Sequence, residues 1–125
     1  MKFIAVSDWL LEEAKKSSLL HDFSITRIYN WVDTNKFVPL SCDRVRKLKS
    51  NASSKYLLVS VASDWSLKKG LGRVVELAKY YPKNVHIILI GQCHEKNLPR
   101  NISVIGKVSS QKEMAEYYSA ADALL

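Results

Sequence analysis

Two continuous apolar runs set the frame of this chain. Tyr56-Leu57-Leu58-Val59-Ser60-Val61 and Val85-His86-Ile87-Ile88-Leu89-Ile90 are almost unbroken by charge, and the second ends on Gly91. Such runs suit strands buried on both faces, as parallel sheets require. Between them Leu71, Val74, Val75 and Ala78 recur at i, i+3, i+4 and i+7, the spacing of a helix with one face on a sheet. A polar turn is expected over Ala62–Leu67, followed by Lys68-Lys69-Gly70. Strand, helix and strand make a βαβ unit, whose crossover is expected to be right-handed. Ligands of such sheets bind beyond the carboxyl ends of the strands, and Lys68-Lys69-Gly70 and Gly91 both fall there.

The flanking segments carry weaker patterns. Phe3-Ile4-Ala5-Val6 predicts a strand, and Ser7 or Asp8 caps a helix running to about Leu20-His21. Glu12 and Glu13 lie early in that helix and Lys15 and Lys16 late, as its dipole favours. Ile25–Tyr29 predicts a second strand, closed by the turn formers of Asn30-Trp31-Val32-Asp33. Phe37-Val38-Pro39 is expected to be extended, because a residue before proline avoids the helical region. Asp43–Lys49 reads as a short basic helix and residues 50–54 as a polar linker. After a loop from Gln92 to Asn101, Ile102–Ile105 predicts a strand and Gly106-Lys107-Val108 a turn. Ser110 and Glu113 have the spacing of a reciprocal capping box. Met114, Tyr117, Tyr118 and Ala121 then mark a helix, and Asp122–Leu125 opens a further strand. Because the sequence stops inside that apolar run, a piece of a longer protein is expected.

Composition narrows the class without naming a function. Of 125 residues, 47% are hydrophobic and 25% charged, an ordinary globular balance. No apolar run approaches the roughly 20 residues of a membrane helix, so the default location is the cytoplasm. Cys42 and Cys93 stand alone, without the spacing of a metal site, and read as structural thiols. The net charge of +7 is more informative, because Arg44, Arg46, Lys47, Lys49 and Lys55 crowd one short segment. Nucleic acid or an anionic membrane surface would suit them, as would plain solvation. No aromatic residue is interleaved for base stacking before Tyr56, so nucleic acid is not favoured.

Most phosphate and catalytic motifs fail. Gly70-Leu71-Gly72 lacks the third glycine of a dinucleotide fingerprint, since position 75 is Val75. No P-loop Gly-Lys-Ser/Thr occurs, and no Gly-x-Ser-x-Gly elbow. His21, His86 and His94 are scattered over a helix end, a strand and a loop. What remains is an anion site at a helix start. Gly70 admits a ligand close to the backbone, the free amides and dipole behind it favour phosphate, and Lys68 and Lys69 add charge. The plain alternative is two solvated lysines ahead of a helix.

The order of segments resembles the GT-B fold glycosyltransferases of the large family 4, or group 1, type. Val6-Ser7-Asp8-Trp9-Leu10 looks like the family's strand-end serine and helix, with Ser18 as its late serine. Ile28-Tyr29-Asn30-Trp31-Val32-Asp33, then Phe37 and Pro39, is similar to the family's Asn-Gly-Ile-Asp turn and its trailing residues. Lys69-Gly70 matches the phosphate-contacting pair, and Ile88-Leu89-Ile90-Gly91 the next strand and glycine. Val104–Val108, followed by Met114 and Tyr117–Asp122, matches the glycine turn and the helix before the active-site loop. Three departures stand out. Trp31 replaces the turn glycine, Asp64 sits where an arginine often makes a second diphosphate contact, and the proline–serine and two-glutamate segments are not in this sequence.

The resemblance implies an α/β fold: a Rossmann-like parallel sheet with flanking helices, an incomplete GT-B C-terminal domain. It implies a linker region over residues 1–40 and the first part of the donor domain over 41–125. The implied reaction moves a sugar from a nucleotide-diphosphate donor to a glycan or lipid-linked acceptor, with no cofactor and no metal. Lys69, Lys68 and Gly70 would hold the donor diphosphate, and Gly91, Gly106, Lys107 and Val108 would form the nucleobase or donor pocket. Location would be cytoplasmic, with room for peripheral contact at the inner membrane surface. Alone, the 125 residues are expected to be inactive. The rival expectation is a non-catalytic basic module binding nucleic acid or an anionic membrane through the Arg44–Lys55 cluster.

Overall fold

The computed structural model describes residues 1–51 and 54–125. The chain divides into two compact units, Met1–Asp33 and Thr34–Leu125. Each holds a parallel sheet built by the strand–helix–strand logic of its sequence.

In the first unit, β1 (Lys2–Ala5) and β2 (Ser24–Arg27) pair in parallel, with Phe3 opposite Ile25 and Ala5 opposite Arg27. Between them runs α1 (Asp8–Lys16), started by the Ser7 hydroxyl, which accepts the Leu10 amide at 3.1 Å. The helix stops at Lys16, short of the expected Leu20-His21. Ser17 ends it in an extended conformation, and its carbonyl collects the amides of Leu20 and His21 in a turn. Two adjacent serines compete for backbone there, which favours a turn over continued helix; Ser18 therefore lies in the turn and not in the helix. The core of this unit is slight: Ala5 is buried, and the Phe3 and Phe23 rings meet edge-on at 5.3 Å.

The same unit carries a polar clasp. The Asp8 carboxylate accepts hydrogen bonds from the Tyr29 hydroxyl and the Arg27 guanidinium, which lies 4.5 Å from the centroid of the Tyr29 ring. The Tyr29 bond first, and then Arg27, hold the Asp8 carboxyl below its ordinary value of 3.8. A depressed carboxyl stabilises the fold above its ordinary pKa, and the gain is lost as pH falls through the lowered one. A carbon-detected NMR titration is thus expected to find Asp8 half-protonated below pH 3.8, and Tyr29→Phe to move the midpoint up. A wild-type midpoint at or above 3.8 would rule out the clasp.

The second unit holds a four-stranded sheet in the order β5-β4-β3-β6, parallel throughout. The strands are β3 (Tyr56–Trp65), β4 (Val85–Cys93), β5 (Ile102–Ile105) and the two-residue β6 (Ala123–Leu124). The helices are α2 (Asp43–Asn51), α3 (Leu71–Tyr80) and α4 (Gln111–Ala120). Alternate side chains of β4 serve two cores. Val85, Ile87 and Leu89 pack with Leu71, Val74 and Ala78 of α3, while Ile88 and Ile90 pack with Val45 of α2 and Tyr117 and Ala120 of α4. That is the physical content of the continuous apolar run: helices cover both faces of the sheet. Cys93 and Cys42 are free thiols packed against these two cores, one at each.

Several boundaries differ from expectation. Helix α2 continues through Ser50 and Asn51, so the expected linker loses its first two residues, and its residues 52–53 lie outside the described residues. Thr34–Lys36 form a turn, and Phe37 and Val38 bend where an extended run was expected. The units divide at Asp33/Thr34 because the following segment packs within the second: Phe37 meets Tyr118 at 6.2 Å between rings, and the Leu40 amide donates to Ser119 Oγ at 2.9 Å. Ser110 caps α4 as expected, accepting the Glu113 amide at 3.3 Å. Glu113, however, turns outward to Arg44 of α2 instead of back to Ser110. A guanidinium binds a carboxylate more strongly than a neutral amide does.

The expected turn at Ala62–Leu67 is the main correction. Strand β3 runs on to Trp65 through a bulge, in which Ala62 and Ser63 together oppose Gly91 between the pairs Val61–Ile90 and Asp64–Gln92. Trp65 holds the far side: it is buried, and its indole N–H donates to the Ile90 carbonyl at 3.1 Å. The sheet's other margin is fixed by Asp122, whose carboxylate accepts the Leu57 amide at 2.8 Å and faces Lys49 at 3.5 Å.

Candidate functional site

Beyond the bulge the chain makes a single 3₁₀ turn, Leu67–Lys69, and closes it on Gly70 in the left-handed conformation (φ 81°). The strand-to-helix connection thus spends its one conformationally free residue where α3 begins. No side chain caps this helix start, and its first turn holds no acidic residue. The Leu71 amide donates to the Ser66 carbonyl at 3.1 Å, and the Val74 amide to the Gly70 carbonyl at 3.2 Å. Elsewhere the chain fills such positions, with Ser7 and Asp8 at α1 and Ser110 and Glu113 at α4. The start of α3 is therefore an open, positive end.

Two clefts flank the end of β3, sharing Val61 and Ala62. The first, about 430 Å³, lies toward α3 and is lined by Ser60, Trp65, Lys69, Gly70, Arg73 and Leu125 among others. The second, about 370 Å³, lies toward the end of β5 and is lined by Ser63, Gly91, Gln92, Lys107, Val108 and Met114, with Ile90 behind them. Neither has an acidic side chain in its lining, whereas Lys69, Arg73 and Lys107 supply three cations. A third hollow, between Phe37–Pro39 and the Ala115–Ser119 side of α4, carries no charge at all.

Five of the residues singled out from the sequence meet at these clefts. Lys69 and Gly70 line the first; Gly91, Lys107 and Val108 line the second. Lys68, on the same 3₁₀ turn, and Gly106, just past β5, are not in either lining. Arg73 and Trp65 join the site without having been anticipated. Arg73 had a signal, since it stands three residues after Gly70 and so returns to the same side of the helix. Trp65 had none, because its place depends on the bulge.

The basic segment behaves differently. Arg44 pairs with Glu113 and, at 3.2 Å, with the nearly buried Glu116, and its guanidinium lies 5.6 Å from the Tyr117 ring centroid. Arg46 pairs with Asp43, Lys49 with Asp122, and Lys55 lies 5.2 Å from its neighbour's ring centroid, that of Tyr56. Of these charges Arg44 and Lys49 serve the fold, joining α2 to α4 and to the sheet margin. By composition, the first unit has four Lys and Arg against five Asp and Glu, and the second fifteen against seven. The excess positive charge thus belongs wholly to the unit with the clefts. Among the described residues no group of three His, Cys, Asp or Glu is placed to hold a metal ion, and no helix is long and apolar enough to cross a membrane.

No family model and no curated protein matches the sequence. Solved structures do match the fold. The chain is similar to the catalytic domain of starch synthase IV from Arabidopsis thaliana, in a structure bound to ADP and acarbose, with a TM-score of 0.59 and 11% identity. The similarity covers 94% of this chain and 31% of that one, so the chain spans about a third of the length of the structure it matches. At this identity the likeness is one of fold. The chain is an α/β protein whose helix-flanked parallel sheets match a Rossmann-like piece of a GT-B glycosyltransferase.

Proposed function

We propose that this chain belongs to a glycosyltransferase of the family 4 kind, which moves a sugar from a nucleotide-diphosphate donor to a glycan or lipid-linked acceptor. In this reading the second unit binds the donor and the first belongs to the region joining the two GT-B domains. The observation that carries it is the pair of clefts without acidic side chains at the carboxyl ends of β3 and β4, with Lys69 beside an uncapped helix start. An anion is the ligand such a place favours, and a nucleoside diphosphate supplies both the anion and a flat apolar base. The diphosphate would lie over Gly70 and Lys69. The base would enter the second cleft, against Val108 and Met114, with Ser63, Gln92 and Lys107 offering hydrogen bonds.

Breaking the bond between the sugar's anomeric carbon and the phosphate oxygen leaves negative charge on the departing diphosphate. Lys69 and the α3 amides would stabilise that charge as it develops, the usual way such sites lower a barrier. The test is calorimetry or ligand-observed NMR with ADP, UDP and GDP. At least one is expected to bind, and to bind more tightly than its nucleoside. Equal affinity for nucleoside and diphosphate, or salt-sensitive binding of DNA with no response to any nucleotide, would overturn the reading.

A further inference from the structure

We infer that Arg73 is the second cation of the diphosphate site, a role that neither Lys68 nor the position of Asp64 fills. The inference rests on the donor-binding reading above and adds a residue to it. Arg73 shares the first cleft with Lys69 and Gly70, whereas Lys68 and Asp64 are absent from its lining. Asp64 faces His94 instead, at 3.8 Å. As the third residue of α3, Arg73 lies in the helix's first turn, three residues after Gly70, where it lines the cleft while its guanidinium faces Glu76.

The charge itself is out of place for a structural residue. Helices α1, α2 and α4 each put an acidic residue in the first turn: Asp8, Asp43 and Glu113. In α4 the acid stands at the same third position that Arg73 holds in α3. A cation there opposes the helix dipole. Its partner Glu76 lies at 3.6 Å with both side chains largely exposed, a pairing that contributes little. A bound diphosphate removes the conflict, and the planar fork of a guanidinium grips phosphate oxygens two at a time.

The experiment measures affinity and melting temperature together on the 125-residue chain, using ADP, UDP and GDP as probes and Lys79→Ala, at the far end of α3, as control. Arg73→Gln is expected to bind the preferred diphosphate about 10-fold more weakly and to melt no lower than wild type. Arg73→Lys is expected to fall between the two, since it keeps the charge and loses the fork. Lys69→Ala separates this inference from the reading beneath it. If Lys69→Ala loses affinity while Arg73→Gln stays within twofold of wild type, Arg73 is a solvated residue and the inference fails alone. If both variants bind like wild type, or wild type binds none of the three probes, the donor site itself is wrong. Loss of affinity in Arg73→Gln accompanied by a lower melting temperature would also overturn the inference, because the residue would then be supporting the fold.

Discussion

Gly91→Ala is expected to cost about 3–5 kcal/mol of stability, much the largest effect of any single substitution considered for this chain. Gly91 has φ of +123°, where residues with a side chain are strained, and it lies opposite the bulge in β3. A Cβ built there would fall 1.8 Å from the Ala62 carbonyl oxygen and 2.9 Å from its carbon. Both atoms are backbone, so no rotamer change relieves the clash. The sheet must either open at the bulge or shift register, and both break the pairing that leads to Trp65. Gly70→Ala supplies the internal standard. Its φ of +81° is also left-handed, but nothing lies within 4 Å of the added methyl. Strain alone remains, about 1–2 kcal/mol. Urea unfolding of the two variants side by side decides the matter. Equal losses would mean that β4 does not approach the bulge closely. Because Gly91 also lines the second cleft, its alanine variant is not a clean probe of binding.

The contrast between those glycines shows what the sequence can and cannot reveal. Where a rule acts within a few residues, the reading and the structure mostly agree, with the bend at Phe37-Val38 ahead of Pro39 an exception. The apolar run of β4, the i, i+3, i+4, i+7 stripe of α3, and the parallel partners of β3 all follow from local pattern. The bulge does not, because it is a relation between strands. Ser63 and Asp64 look like turn residues until Trp65, anchored on the Ile90 carbonyl, holds the strand on its course. Glu113 has the spacing of a capping box, yet Arg44, 69 residues away, draws its carboxylate outward. The Ser17 turn is local, yet the sequence pattern runs the helix on through both serines. The site divides along the same line. Lys69, Gly70 and Gly91 are recognisable at the carboxyl ends of the strands, and Lys107 and Val108 come from family likeness. Arg73 becomes visible only once the cleft has walls.

Lys69→Ala is expected to weaken nucleoside-diphosphate binding roughly 10- to 100-fold, the equivalent of losing one hydrogen bond to a charged group, about 1.5–3 kcal/mol. The side chain is exposed and lines the first cleft beside Gly70, at the helix end left without cap or acid. Because none of its atoms contributes to either core cluster, the variant should unfold at the wild-type urea concentration. A loss of affinity without a loss of stability is therefore the specific signature. Lys68→Ala makes the useful comparison, since Lys68 sits on the same 3₁₀ turn outside the cleft lining, and its loss should be the smaller of the two. Salt provides a second axis: the wild-type affinity for a diphosphate should fall with ionic strength more steeply than that of Lys69→Ala, which has one cation fewer to be screened. Should Lys69→Ala bind as tightly as wild type while a variant of the α2 arginines loses affinity, the anion site lies on the other face of the sheet. The open start of α3 would then be an ordinary solvated helix end.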